Sequence, residues 1–326
     1  MAVFTTVTPA QVQALLDVLD LGPLQSLKGI TAGIENTNYF VTTARGEFVL
    51  TLFERLSFEQ LPFYLELMRH LADRGIPVPA PQPDRDGRIL HRLAGKPAAV
   101  VDKLRGSHQL APDRFHCEQV GTQLARMHLA GQDFPLQQDN LRGLAWWRET
   151  VPVVLPHLAA EQARLLREEL AFQESMAPAA AQLPRGPIHA DLFRDNVMFD
   201  VDESLPGRER LTGFFDFYFA GVDAWLFDLC VCLNDWCIDL ASGRLDETRA
   251  QALVKAYEAQ RPLSGAEHRL LPGMLRAAAL RFWISRLWDF HLPREASLLK
   301  PHDPTHFERV LRERIRQPWH AMESAA

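Results

Sequence analysis

The stretch GPIHADLFRDNVMFD, residues 186–200, places His189, Asp191, Asp195 and Asn196 between apolar runs. The spacing His189-x-Asp191-x-x-x-x-Asn196 is followed, across a second apolar run, by Asp216 in LTGFFDFYFAG. These residue types at this spacing suit phosphoryl transfer. A travelling phosphoryl group spreads negative charge over its oxygens, so a catalyst needs an oriented acceptor hydroxyl and a held divalent cation. Asp191 can orient the hydroxyl and take its proton. Asn196, at the far end of a tight loop, can offer a neutral oxygen to Mg2+, and Asp216 a hard anionic one. Taken singly, an aspartate here is more often a turn residue or a helix cap. The conjunction points to catalysis by Asp191 and metal binding by Asn196 and Asp216. His189 reads as a brace for the loop rather than as a base, and Asp195 as a cap or brace.

Elements must bring these groups together. Val197-Met198-Phe199 and Phe214-Phe215 read as adjacent short strands that would carry Asn196 and Asp216 to one spot. Upstream, Thr8 and Pro9 suit the start of a first helix, which Gly22-Pro23 stops. Residues 39–43 and 48–53 are rich in β-branched and aromatic types and read as a hairpin turned at 44–47. A helix over 58–74 follows, then the proline-studded IPVPAPQPDRDGR, then further strands to Leu104. From about residue 112 the apolar spacing turns helical. Helices are predicted to end at Gly131 and to run over 157–176, 223–241, 246–260 and 264–291, the last opened by a capping box of Ser264 and Glu267. LTGFFDFYFAG reads as a short buried strand. The fold class is therefore α/β (α+β): a small strand-rich lobe over 1–104 and a larger helical lobe over 105–326.

Composition narrows the function classes. The chain has 326 residues, 47% apolar and 23% charged, with a formal net charge of −6. That balance argues against bulk electrostatic binding to nucleic acid or to an anionic membrane. No apolar stretch is long enough for a membrane span. The N-terminus lacks the basic start and apolar run of a signal peptide. Cys117, Cys230, Cys232 and Cys237 have no zinc-type partners nearby and read as buried free thiols in a reducing compartment. A cytoplasmic protein acting on a small molecule fits all of this; the sequence leaves the oligomeric state open.

The form IHADLFRDNVMF, then GFFDFYFAG, then DAWLFDLC resembles the aminoglycoside phosphotransferase and choline kinase superfamily over nearly the whole chain. More narrowly, GIENTNYFV, FVLTLFER, HADLFRDNVMFD, FFDFYFAG, RFWISRL and HDPTHFERVL are similar to the bacterial homoserine kinases of that fold. The resemblance implies a two-lobed protein-kinase-like fold, ATP and Mg2+, and phosphorylation of the L-homoserine hydroxyl on the way to threonine. It implies a phosphate-covering loop from Gly29 to Asn38, including Gly33, Asn36 and Thr37, and an adenine hinge near 100–104, including Val101 and Lys103. It implies that Asp228 braces the catalytic loop. One position departs from the wider superfamily: Thr51 stands where a strand Lys or Arg usually meets the phosphates. Lys28, Arg45 and Arg55 are the nearby cations, and Glu66 would be the residue that pairs with such a Lys.

An amino-acid acceptor needs a guanidinium for its carboxylate and an anion for its amine. Arg281 and Arg286 are candidates for the first, and Glu35, Asp223 and Asp235 for the second. Trp146, Trp147, Trp225, Trp236, Trp283 and Trp288 could instead cage a cationic acceptor such as choline, although aromatics at helical spacing are more often core. The alternatives are therefore another small-molecule kinase of this superfamily, acting on choline, an aminoglycoside or a sugar amine, or a catalytically silent nucleotide-binding protein.

Overall fold

A computed structural model describes residues 4–30, 36–202, 204, 208–292 and 302–321 of the protein. The chain divides into two compact units. The first takes the residues up to Arg105 together with Gly213–Phe215, and the second takes Gly106–Thr212 and the residues from Asp216 onward.

In the first unit, α1 (Pro9–Val18) starts where Thr8 and Gln11 exchange side-chain and backbone hydrogen bonds, with Pro9 in the first turn. It is followed by β1 (Leu24–Gly29), β2 (Thr37–Thr43), β3 (Gly46–Leu52), α2 (Leu61–Asp73), β4 (His91–Leu93) and β5 (Lys96–Asp102). The strands form one antiparallel sheet in the order β1-β2-β3-β5-β4. Alternation along β2 buries Thr37, Tyr39, Val41 and Thr43 on the side where Val12, Leu15 and Leu16 of α1 complete a core. Asn38, Phe40 and Thr42 share the opposite face. The predicted hairpin is present, but its turn is shorter: pairing runs to Thr43 opposite Gly46, so only Ala44 and Arg45 make the corner. The predicted helix over 58–74 loses its first residues to a turn at 57–60, and Pro62 then sits in the first turn of α2. β1 is an edge strand whose polar sequence LQSLKG carries little strand signal.

In the second unit, Asp113 caps α3 (Arg114–Ala130). α4 (Leu144–Val154), α5 (Ala160–Ala180), β6 (Arg185–Ile188), β7 (Val197–Val201) and β8 (Glu209–Phe214) come next; the last two residues of β8 group with the first unit. β9 (Gly221–Ala224), α6 (Trp225–Trp236), α7 (Glu247–Glu258), α8 (Gly265–His291) and α9 (Thr305–Arg316) complete it. β6 pairs with β9, and β7 with β8. The single strand predicted over 211–221 is broken: Asp216 takes a left-handed backbone, φ 68 and ψ 58, and a 3₁₀ turn over Phe217–Phe219 separates β8 from β9. The helix predicted from 223 to 241 is trimmed at both ends for the same local reason. Residues 221–224 pair with β6, and the chain leaves the helix at Cys237. Every residue of α6 is buried, so this helix is surrounded by protein and shows no polar face. α5 runs from Ala160, past 176, to Ala180, with Pro178 inside its last turn. α8 opens on the predicted capping box of Ser264 and Glu267.

Candidate active site

The polar loop after β6 is fastened to one face of α6. Asp228 Oδ2 accepts from His189 N at 2.8 Å, and its Oδ1 accepts from Ala190 N at 2.8 Å. Cys232 Sγ and Trp236 Nε1 both reach the carbonyl of Leu192, at 3.6 and 2.9 Å. Asp235 Oδ2 accepts from Arg194 N at 2.8 Å and from Arg194 Nε at 3.1 Å. Positions 228, 232, 235 and 236 recur at helical spacing, so a single stripe of α6 grips successive residues of the loop. The grip holds Ala190 at φ 64, a backbone region that costs a residue with a Cβ.

Within the loop, Asp191 is anchored through its backbone. Its N–H donates to His189 Nδ1 at 3.2 Å, and its carbonyl accepts from Phe193 N and Asn196 Nδ2, each at 2.8 Å. Among the described residues, none donates a hydrogen bond to the Asp191 carboxylate. That carboxylate has a pKa well above the ordinary range. Burial is the main cause, and the charges of Asp216, Asp195 and Asp235 add to it against the opposing pull of Arg281. Asp228 behaves oppositely. Burial alone would raise its pKa, but the hydrogen bonds from the His128 ring and the His189 amide bring it below the usual value.

The structure therefore gathers Asp191, Asn196 and Asp216 with Arg281. Asn196 spends its amide nitrogen on the loop, which leaves its Oδ1 for a cation. With Asp216 this makes two hard oxygen donors amid several carboxylates, a donor set whose chemistry would suit Mg2+. Among the described residues, no cluster of three or more His, Cys, Asp or Glu side chains forms a protein-only metal cage.

Arg281 and Arg286 of α8 lie over an aromatic floor. The Arg281 guanidinium carbon is 3.9 Å from the Phe282 ring centre, and that of Arg286 is 4.4 Å from Phe307. Phe282 contacts both Phe307, at 5.0 Å, and Phe193 of the catalytic loop, at 4.4 Å. Burial lowers the Arg286 pKa, against the field of Asp235, Asp303, Asp191 and Asp195. His306 is brought down to about 4 by burial and by Arg286, Arg309 and Arg194. Asp223 is placed elsewhere: its carboxylate accepts from Asn140 Nδ2 at 2.9 Å and Ala224 N at 2.7 Å, and its charged neighbours are Arg185 and Asp228. Asp235, by contrast, is among the charges around Asp191. The tryptophans are dispersed. Trp236 and Trp283 are fully buried, and Trp147 Nε1 donates to the Arg142 carbonyl, so these serve the core.

In the first unit, Gly33 and Glu35 lie outside the described residues. Gly29 ends β1 opposite Tyr39, and the Ile30 N–H to Asn38 carbonyl bond of 2.8 Å continues the ladder. Asn36 is half-buried at the bend before β2. Thr37 is turned inward: its Oγ1 accepts from Phe4 N and Thr5 N and donates to Glu54 at 2.7 Å, leaving only its backbone for a ligand. Thr51 Oγ1 donates to Asn38 Oδ1 at 2.8 Å across the strand pair, so the position without a cation orients the amide of Asn38. Val101 pairs with Val49 on one side and bridges Pro81 on the other, and Lys103 Nζ contacts Glu47 at 2.9 Å. Glu66 pairs with Arg69 on its own helix, and Arg45 pairs with Asp20.

The phosphotransferase enzyme family profile matches residues 26–267. The chain belongs to the phosphotransferase enzyme family. It is 64% identical over 321 residues to a homoserine kinase of Polaromonas naphthalenivorans (strain CJ2), covering 98% of this chain and 99% of the relative. A homoserine kinase of Cupriavidus pinatubonensis (strain JMP 134 / LMG 1197) is 60% identical, covering 97% and 96%. Among solved structures, the amicoumacin kinase hAmiN, in complex with AMP-PNP, Ca2+ and Ami, superposes with a TM-score of 0.64 at 18% identity, over 94% of this chain and 92% of that one. The family member described here therefore has a protein-kinase-like fold, with a strand-rich N-terminal sheet and a helical C-terminal part.

Sequence reasoning missed Arg194, Phe193, His128, Tyr257 and His306. The two aspartates at 228 and 235, seven apart in a mostly apolar helix, were the available signal that buried polar groups of α6 serve the loop.

Proposed function

We propose that the protein transfers the γ-phosphoryl group of ATP to the side-chain hydroxyl of L-homoserine, giving O-phospho-L-homoserine and ADP in the cytoplasm. The activity named for relatives that match nearly the whole chain carries this reading, and the Asp191 carboxylate, set beside Arg281 on a backbone held by the loop, supports its chemistry. Asp191 orients the acceptor hydroxyl and receives its proton. The oxygen–phosphorus bond forms as the bond from the γ-phosphorus to the bridging oxygen breaks. The raised pKa of Asp191 suits a group that must accept a proton. Asn196 and Asp216 are the residues that would hold Mg2+, which would supply charge neutralisation to the phosphate oxygens. Arg281, the principal cation acting on Asp191, favours the negative charge that builds on the transferring group. Arg286 takes the acceptor carboxylate, and Asp195 and Asp235 supply the field that suits its ammonium. The nucleotide is read by Gly29, Asn36, Asn38, Val101 and Lys103, with the backbone of Thr37.

An acceptor screen tests the proposal. ADP release is followed with MgATP and, in turn, L-homoserine, choline, ethanolamine and an aminoglycoside. Turnover with homoserine far above the others is expected. Transfer to another alcohol with homoserine inert would overturn the acceptor, and tight MgATP binding without any transfer would mark a silent nucleotide-binding protein.

A further inference from the structure

We propose that His128, Tyr257 and Arg261 form a buried hydrogen-bond chain of fixed direction that locks the Asp228 carboxylate against the catalytic loop, and that His128 is a positioning residue for phosphoryl transfer. The inference rests on the reading of Asp191 as the group that orients the acceptor.

Its direction follows from the donor inventory. Arg261 can only donate. Its NH2 gives to Glu267 Oε1 at 2.8 Å and its NH1 to Tyr257 Oη at 3.3 Å, while Glu267 Oε2 accepts from Ser264 N at 2.8 Å. Tyr257 Oη thus accepts from Arg261, and its own proton is free for His128 Nδ1, 2.7 Å away. An imidazole whose Nδ1 accepts carries its proton on Nε2. Nε2–H then donates to Asp228 Oδ2 at 3.1 Å, the same oxygen that accepts from His189 N, while Oδ1 accepts from Ala190 N. Burial depresses the His128 pKa and keeps the ring neutral, so a single tautomer serves.

The surroundings leave the chain little freedom. His128, Tyr257, Asp228 and Glu267 are fully buried. The His128 ring stacks on Trp225 at 5.7 Å and 10°, and the Arg261 guanidinium lies 4.7 Å over the other partner in that stack, Trp225. Three helices therefore converge: α3 brings His128, α7 brings Tyr257, and α6 brings Asp228. What the chain secures is the orientation of a carboxylate whose two oxygens must meet two successive amides, the second of them on Ala190 in its left-handed conformation. Without the lateral bond from His128 the carboxylate can turn about its last torsion, and Asp191, one residue beyond Ala190, loses its fixed direction.

The test uses His128→Phe, His128→Gln and Tyr257→Phe in the full chain, with Asp191→Asn alongside. His128→Phe is expected to lower kcat about 10–100-fold, the worth of one charge-assisted hydrogen bond, with the KM values for ATP and homoserine little changed. Gln places an amide nitrogen near the position of Nε2, so His128→Gln is expected to recover most of that loss. Tyr257→Phe frees the tautomer and is expected to lower kcat by about 3–10-fold, a fraction of the same hydrogen-bond worth. Circular dichroism and MgATP titration report whether each variant is folded; if His128→Phe is not, Tyr257→Phe decides. Wild-type kcat in folded His128→Phe or Tyr257→Phe, or a loss confined to KM, would overturn the positioning role. Undiminished turnover in Asp191→Asn would instead remove the reading of Asp191, a separate and recognisable failure.

Discussion

Asp191 gives its backbone N–H and carbonyl to the loop, and among the described residues no hydrogen bond reaches its carboxylate. That division lets a reactive side chain stay available while its direction is fixed. Asn196 is divided the same way, its nitrogen given to Asp191 and its oxygen left over. Replacing Asn196 with Ala should remove the proposed metal ligand and a loop tie together. We expect the Mg2+ concentration for half-maximal activity to rise about 10–100-fold, as measured by Mg2+ titration of the turnover rate. Asp228 is the opposite kind of residue, a buried carboxylate saturated by N–H donors. Asp228→Asn turns an amide NH2 toward one of those donors and should destabilise the fold by about 3–5 kcal/mol, read from urea unfolding.

At the scale of elements, α6 is the spine of the site. Its burial on all sides explains why its ends were misjudged from sequence: a helix without a polar face has no periodic signal to mark where it stops. The helices α3 and α7 and the hairpin of β2 and β3 were legible because buried and exposed positions recur along each, and α8 because its capping box marks its start. α3 and α7 approach closely enough that a Cβ on Gly121 would strike the Leu253 carbonyl oxygen. Gly121→Ala should therefore cost about 1–3 kcal/mol, seen as a lower melting temperature. Because the same two helices carry His128 and Tyr257, the substitution should also lower kcat; full activity at an unchanged melting temperature would show that the helix pair tolerates being spread.

At the scale of the whole molecule, burial holds His128 and His306 neutral. The pKa values of His128 and His306 are depressed by burial, the latter to about 4. An unfolded His takes a proton near pH 6.5. Stability from these groups is thus complete above that value and declines as the pH falls toward their folded pKa values. Between pH 6.5 and pH 5, His306 should account for a loss of about 1 kcal/mol, after allowing for screening at its exposed edge. Melting curves at the two pH values check this, and His306→Gln should narrow the difference between them. An identical gap in that variant would assign the pH dependence to other groups.

The spacing of His189, Asp191, Asn196 and Asp216 announced the chemistry before any fold was known, because phosphoryl transfer demands those donors within one loop and the next strand. The first helix cap, the main hairpin and the capping box of α8 were equally readable, since each is decided by neighbours a few residues apart. What only the tertiary structure decided is which distant side chains serve that loop. It put the stripe of α6 behind the loop, set Arg281 and Arg286 on the Phe282 and Phe307 rings, turned Asp223 away, and joined His128 to Asp228 and Tyr257. Those partners lie 100 and 129 residues from His128 along the chain, and no local spacing encodes a contact that exists only once separate helices have packed.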